Sequence, residues 1–249
     1  PKYEAKVRPG NPQNFADYAA MIESVDEGVG RVMDSLKQLG LEGNTLVIFT
    51  GDNGGVASRE WKNRQITSNL PLRAGKGHTY EGGIRVPLAV RWPGVTKAGS
   101  VCHDPVLSID YAPTIAEVAG VAKSKMPAMD GRSIVKLLRG APSLGRAEVF
   151  WHYPHYSPQL GRPSAAIRRG ADKLILFFED NRVELYNLKD DIGETKNLAL
   201  AQPAKAAKLR SRLEAWLRET KAQLPVENAE FDATRELQPG APMGPVTAK

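Results

Sequence analysis

Apolar positions along this chain follow two different periods, and each period predicts a different kind of element. Between Tyr18 and Leu39, the residues Met21, Ile22, Val25, Val29, Val32, Met33 and Leu36 recur at steps of three and four, the stripe of an amphipathic helix. Asn14 is its predicted N-cap, with Asp17 three residues on, and Gly40 is its predicted stop. Glu23, Asp26, Glu27 and Asp34 fall mostly on the opposite face and read as solvated charge. Leu46-Val47-Ile48-Phe49 is a continuous, β-branched-rich run that predicts a strand buried on both faces. Helix, short turn and strand together predict half of a parallel βαβ unit. Leu88 to Arg91 predicts a second strand. A short helix is expected from Asp110 to its stop at Gly120, and Ile134 to Leu138 forms a further amphipathic piece.

After Ala147 the period changes to two. Glu148 to Trp151 predicts a strand, and Ser164–Arg169, Lys173–Phe178 and Arg182–Tyr186 predict three more. Turns at Gly170-Ala171-Asp172 and Glu179-Asp180-Asn181 join those three into an antiparallel meander. A helix over 203–221, with Pro203 near its start, carries Leu209, Leu213, Trp216 and Leu217 on one face and is expected to cover the meander. The chain is thus predicted to be α/β, with a first domain over 1–145, a small antiparallel α+β subdomain over 146–224 and an irregular tail over 225–249. Residues 1–13, with Pro1, Pro9 and Pro12, read as a loop.

Composition narrows the function classes. The chain has 41% hydrophobic and 25% charged residues, as globular proteins do, and no apolar run reaches the ~20 residues that span a bilayer. Its net charge of +6 comes from interspersed residues. There is no basic block or aromatic-interleaved basic patch, so a nucleic-acid partner is not expected. Cys102 is the single cysteine, which excludes an intrachain disulfide, and it is expected to be a buried, inert thiol.

Candidate chemistry concentrates in two loops. The run Thr50-Gly51-Asp52-Asn53-Gly54-Gly55 follows the first predicted strand, where α/β sheets gather ligands. Asp52 and Asn53 offer hard oxygen donors, and the glycines let backbone approach an ion; an ordinary turn with Asx hydrogen bonds is the alternative. Residues 56–74, with Arg59, Trp61, Lys62 and Arg64, read as an exposed loop nearby. In Gly75-Lys76-Gly77, the lysine is a point charge on open backbone, suited to a tetrahedral oxyanion; a solvated lysine on a surface loop is the alternative. His152-Tyr153-Pro154-His155-Tyr156 reads as an aromatic loop. Pro154 argues against a helical ligand pair, leaving a substrate-side wall or packing between domains.

These segments carry a resemblance. Thr50-Gly51-Asp52-Asn53-Gly54-Gly55, Gly75-Lys76-Gly77 and Tyr80-Glu81-Gly82-Gly83-Ile84-Arg85-Val86-Pro87 resemble the sulfatases of the arylsulfatase type. Asp110-Tyr111-Ala112-Pro113-Thr114-Ile115 is similar to the family's helix start. The run from Tyr186-Asn187-Leu188 through Asp190, Glu194 and Asn197-Leu198 resembles its C-terminal signature. The resemblance implies an alkaline-phosphatase-like sheet, present in part, and hydrolysis of sulfate esters. It implies that Asp52 and Asn53 ligate a divalent cation, Ca2+ by family habit, and that Lys76 contacts the sulfate and stabilises developing charge. His78 could face the substrate, and Arg85 is expected to be structural, in an ion pair beneath the loop.

The family's nucleophile is a formylglycine made from a cysteine in Cys-x-Pro-Ser-Arg. Cys102 is followed by His103-Asp104-Pro105-Val106 and does not match. Formylglycine and further metal carboxylates are therefore expected in an N-terminal half outside this sequence. By that reading the chain alone is inactive, and the N-terminal segment is a partner alongside a sulfated small molecule or carbohydrate. A periplasmic or secreted location is implied by family analogy. The rival readings are a non-catalytic remnant or partner subunit, and phosphoester or phosphonate hydrolysis on the same fold.

Overall fold

The structure, a computed structural model, describes residues 2–8, 10, 11, 13–57, 60, 61 and 64–229. The expectations for Pro1, Pro9, Pro12, Arg59, Lys62 and tail residues 230–249 lie outside the described residues; 225–229 carry no regular element.

Helix α1 runs Ala16–Gln38. It ends as the glycine predicts. Gly40 takes a φ of 66°, its N–H donates to the Lys37 carbonyl, and the Leu41 N–H donates to Leu36 at 2.8 Å, a Schellman arrangement. Its start differs from expectation: Phe15 is the N-cap, with no side-chain hydrogen bond, and Asn14 does not cap. The helix leads through a 3₁₀ turn, Glu42–Asn44, into β1, Val47–Thr50.

Strand β1 corrects two expectations. It pairs with β4, Leu88–Arg91, in antiparallel register from Val47 opposite Arg91 to Thr50 opposite Leu88. The predicted parallel unit fails because the intervening loop closes on itself at one end of the strands: Gly51 N–H donates to the Pro87 carbonyl and Gly54 N–H to Gly83. A chain that re-enters from the end it left must run back, whereas a parallel return needs a crossover. Nor is β1 buried on both faces, since Phe49 is 44% exposed. The apolar stripe of α1 is likewise open, with Met21, Val25 and Val32 more than half exposed. Within the loop, Glu60–Trp61 (β2) and Arg64–Gln65 (β3) form a two-rung ladder, and Glu81–Ile84 (α2) is a single helical turn.

Beyond β4 come α3 (Tyr111–Val118) and α4 (Val135–Leu138), joined where the Ile134 N–H donates to Thr114 Oγ1, with Ile134, Leu137 and Leu144 clustered about α4. Cys102 lies on the connecting segment and is exposed, not buried, beside a largely exposed Val101. The four strands β5 (Val149–Tyr153), β6 (Ser164–Arg169), β7 (Asp172–Phe177) and β8 (Val183–Asn187) form one antiparallel sheet in chain order. The expected meander is present, and β5 joins it as a fourth strand that starts one residue later and ends two residues later than the sequence pattern indicates. Helix α5, Pro203–Glu219, starts on its proline and lays Leu209, Leu213 and Leu217 on Ala165, Ile167, Leu174, Leu176 and Leu185. Trp216 stacks on Phe150 at 4.7 Å. The other sheet face presents Ala166, Ile175, Phe177 and Tyr186 to Tyr80 and Ala74, packing the sheet against the Lys76 and Gly82–Gly83 segments.

Candidate sulfate- and cation-binding site

Three glycine-rich segments meet at the end of β1, and they meet backbone to backbone. Gly54 donates its N–H to the Gly83 carbonyl at 3.0 Å, and Lys76 donates its N–H to the Gly55 carbonyl at 3.0 Å. A Cβ on Gly54 would overlap the Gly82 carbonyl, and one on Gly83 the His78 carbonyl. Only residues without side chains let the three strings of backbone approach this closely. Asn69 locks the arrangement: its Oδ1 accepts from Gly55 N–H at 3.2 Å, and its Nδ2 donates to the Gly55 and Ala74 carbonyls at 2.9 Å. The Asp52-Asn53 loop and the Lys76 loop are thereby one rigid unit.

On this unit Asp52 and Lys76 are both exposed, and Asn53 is half-buried. Asp52 Oδ1 accepts the Asn53 N–H at 2.9 Å, a local turn bond that leaves Oδ2 to other partners. The donor set, one carboxylate and one amide carbonyl, suits a hard cation. Among the described residues no cluster of three or more His, Cys, Asp or Glu could hold a metal. Asp52 and Asn53 therefore fit such an ion as part of its shell.

His78 is half-buried, and its Nε2 lies 2.9 Å from the Gln159 carbonyl. The 157–161 loop fits over the lysine loop: Gly77, at a φ of 86°, abuts Ser157, and Gly161 abuts the Gly77 carbonyl. Thr79 and Ser164 hydroxyls meet at 3.0 Å in the same seam. His152 is separate from this. It sits in β5 opposite Ala165, on the sheet face that α5 covers, edge-on to Phe178. Burial, and His155 beside it, hold its pKa below the ordinary histidine value. Nearer the surface, the rings of Tyr153 and the exposed His155 meet edge-on at 5.5 Å.

Beneath the loops lies a charge network. Lys173 of β7 is fully buried, with its Nζ 3.0 Å from Glu81 Oε1 and 2.8 Å from Glu194 Oε1. Arg85 Nε donates to Glu81 Oε2 at 2.7 Å, the ion pair expected of Arg85. Glu194 Oε2 accepts the Glu81 N–H at 2.6 Å. Burial pushes the Glu81 pKa up, but Lys173 and Arg85 outweigh it and hold Glu81 below the ordinary glutamate value. For Glu194 burial wins over Lys173, and its pKa is raised. Arg73 caps the cluster, donating to the Tyr186 hydroxyl and the Glu194 carbonyl at 2.9 Å and stacking over Tyr80. Sequence reasoning did not single out Lys173 or Asn69. A lysine at an inward position of an alternating strand, in register with Ile175 and Phe177, is the signal that was there.

Comparison with known proteins agrees with this geometry. The family "N-sulphoglucosamine sulphohydrolase, C-terminal" matches residues 75–223, and the family "Sulfatase" matches 1–121. A "Sulfatase" from Formosa agariphila is 40% identical over 239 residues, covering 87% of this chain and 42% of the relative. The crystal structure of Ps i-CgsB in complex with k-i-k-neocarrahexaose superposes with a TM-score of 0.72 at 29% identity, covering 86% of this chain and 46% of that one. The structure of BT4656 in complex with its substrate D-glucosamine-2-N,6-O-disulfate gives a TM-score of 0.67 at 28% identity, covering 83% and 40%. The chain spans less than half the length of each of these proteins. Its fold is the mixed α/β, alkaline-phosphatase-like one that its structural neighbours share, closed by an antiparallel sheet and packed helix. With family matches running across both the glycine-rich loops and the C-terminal sheet, the chain belongs to the sulfatase family.

Proposed function

We propose that this chain is the sulfate- and cation-binding part of a sulfate-ester hydrolase whose nucleophile lies on polypeptide outside these residues. One observation carries the reading: Lys76 and the Asp52-Asn53 pair stand on a single glycine-packed backbone unit. In it, Lys76 places a positive charge against a sulfate oxygen and stabilises charge that develops as the ester bond breaks. Asp52 and Asn53 contribute two oxygens to a divalent cation, Ca2+ in this reading, which would draw charge from the sulfate when bound. His78 ties the lysine loop to Gln159 and is the further candidate in this reading to touch substrate. No cysteine here has the Pro-Ser-Arg context for formylglycine, so the chain by itself binds without turning over. The substrate class is a sulfated carbohydrate, supported by the disulfated glucosamine named as substrate of BT4656.

Binding of inorganic sulfate to the 249-residue chain, followed by NMR, tests the proposal. Sulfate should shift the Gly75, Lys76 and Gly77 amides saturably, and Lys76→Ala should abolish those shifts. Shifts confined to the basic residues of α5, such as Lys205, Lys208 and Arg212, and unchanged in Lys76→Ala, would contradict it.

A further inference from the structure

The buried lysine of β7 draws both of its carboxylate partners from outside its own sheet, where the Trp151 ring of β5 lies 6.0 Å from its Nζ. Its neighbours in the same inward row are Ile175 and Phe177, while its two carboxylates come from α2, 92 residues earlier, and from the 188–198 segment. A cation sealed from water at such a position is held by its partners, and those partners are backbone-bearing parts of the site. Glu81 begins the turn that continues into Gly82 and Gly83. Gly83 is the acceptor for Gly54, and Gly82 donates to the Arg73 carbonyl at 2.9 Å. The same turn packs on the carbonyls of Gly75 and His78, on either side of Lys76. Glu194 grips it a second time through the Glu81 N–H. The Glu81 turn is thus hydrogen-bonded to the Asp52 loop and packed on the Lys76 loop.

We infer that Lys173, acting with Glu194, is a positioning residue for the site: from the C-terminal sheet it clamps the Glu81-Gly82-Gly83 turn and so fixes Lys76 relative to Asp52 and Asn53. Lys173 and Glu194 are fully buried, so the clamp acts through the turn it holds. The inference rests on the proposed sulfate site for its functional meaning, but the mechanical coupling stands on contacts alone.

Hydrogen exchange on the 249-residue chain reads the coupling residue by residue. In Lys173→Met, the amides of Gly54, Lys76 and Gly82 should exchange ~10-fold faster or more, relative to the β6–β7 ladder around Ala165 and Leu176. Sulfate binding at Lys76 should weaken in parallel. Adding Glu194→Gln to Lys173→Met removes the carboxylate left without its cation. Thermal stability should then partly recover while the three amides stay fast, because the grip on Glu81 is still cut. A lysine that only stabilised the fold would recover both together, and that result overturns the inference. So does a uniform rise in exchange across site and ladder, or no change at the three amides. If Lys173→Met does not fold, Glu194→Gln alone carries the test, with the same pattern at ~3-fold and the same overturning results. Should wild-type chain show no sulfate shift at Lys76, the functional reading fails while the exchange pattern still decides the clamp.

Discussion

Arg146 grips Asp110 with two nitrogens, its Nη1 donating to Oδ2 at 2.9 Å, in a site where the aspartate is wholly buried and the arginine nearly so. Arg132 and Leu107 add backbone N–H donors at 2.8 Å to the same carboxylate. Gly131 makes this possible, since a Cβ there would overlap the Ile109 carbonyl. Asp110 is thus the post to which three separate stretches of chain are tied at the foot of α3. Removing its partner leaves a buried charge uncompensated, a loss of ~3–5 kcal/mol. Arg146→Met should show that loss in urea unfolding, and an unchanged midpoint would contradict the account.

The same carboxylate sets a pH dependence. Burial raises its pKa, but Arg146 and the Arg132 and Leu107 N–H groups outweigh burial and hold it below the ordinary aspartate value of 3.8. A group depressed on folding stabilises the fold fully above its unfolded pKa and loses that contribution as pH falls through its folded pKa. Wild-type stability should therefore drop as pH falls below about 4, and Asp110→Asn should flatten part of that drop. Thermal melts from pH 6 down to about 2 measure it.

How much of this was legible beforehand depends on what a residue's role requires. The β6, β7 and β8 strands and the α5 stripe of Leu209, Leu213 and Leu217 were readable because alternation and helical period report directly which face is apolar. The same logic located α1 but said nothing of what covers Met21 or Val32, and both are exposed. Strand β1 was found, yet its antiparallel partner was not, because pairing direction is decided by where a 37-residue loop closes, from Gly51 to Pro87. Lys76, Asp52 and Asn53 were legible as residues on open, glycine-rich backbone. Lys173 was not, since its partner Glu81 is 92 positions away and only the folded sheet brings them together.

Packing of the three glycine segments leaves no room for a single added methyl group at Gly54 or Gly83. Gly54→Ala would drive a Cβ into the Gly82 carbonyl, a backbone atom that cannot swing aside. Overpacking of this kind costs ~1–3 kcal/mol, and here the strain falls on the loops that carry Asp52 and Lys76. Sulfate and cation binding should be lost with α5 and its sheet still folded. Retention of both in Gly54→Ala would show that the loops are looser than their contacts indicate.

Cation binding by this chain should be weak. Calcium takes ~6–8 oxygens, and Asp52 with Asn53 supplies two side chains toward them. Calorimetric titration should give no tight site, and the weak binding that remains should fall further in Asp52→Ala. Sub-micromolar affinity would mean that the shell is complete within these residues.

The central claim is that this chain supplies charge stabilisation and substrate orientation but no nucleophile. Turnover of an aryl sulfate, measured against the matched aryl phosphate, tests it most directly. The chain alone should give no turnover above buffer. Joined to a nucleophile-bearing segment with its cysteine converted to formylglycine, it should hydrolyse the sulfate ester, and Lys76→Ala should then lower kcat by ~100-fold or more. Hydrolysis by the chain alone that survives Cys102→Ser, or a joined enzyme indifferent to Lys76→Ala, would contradict the account.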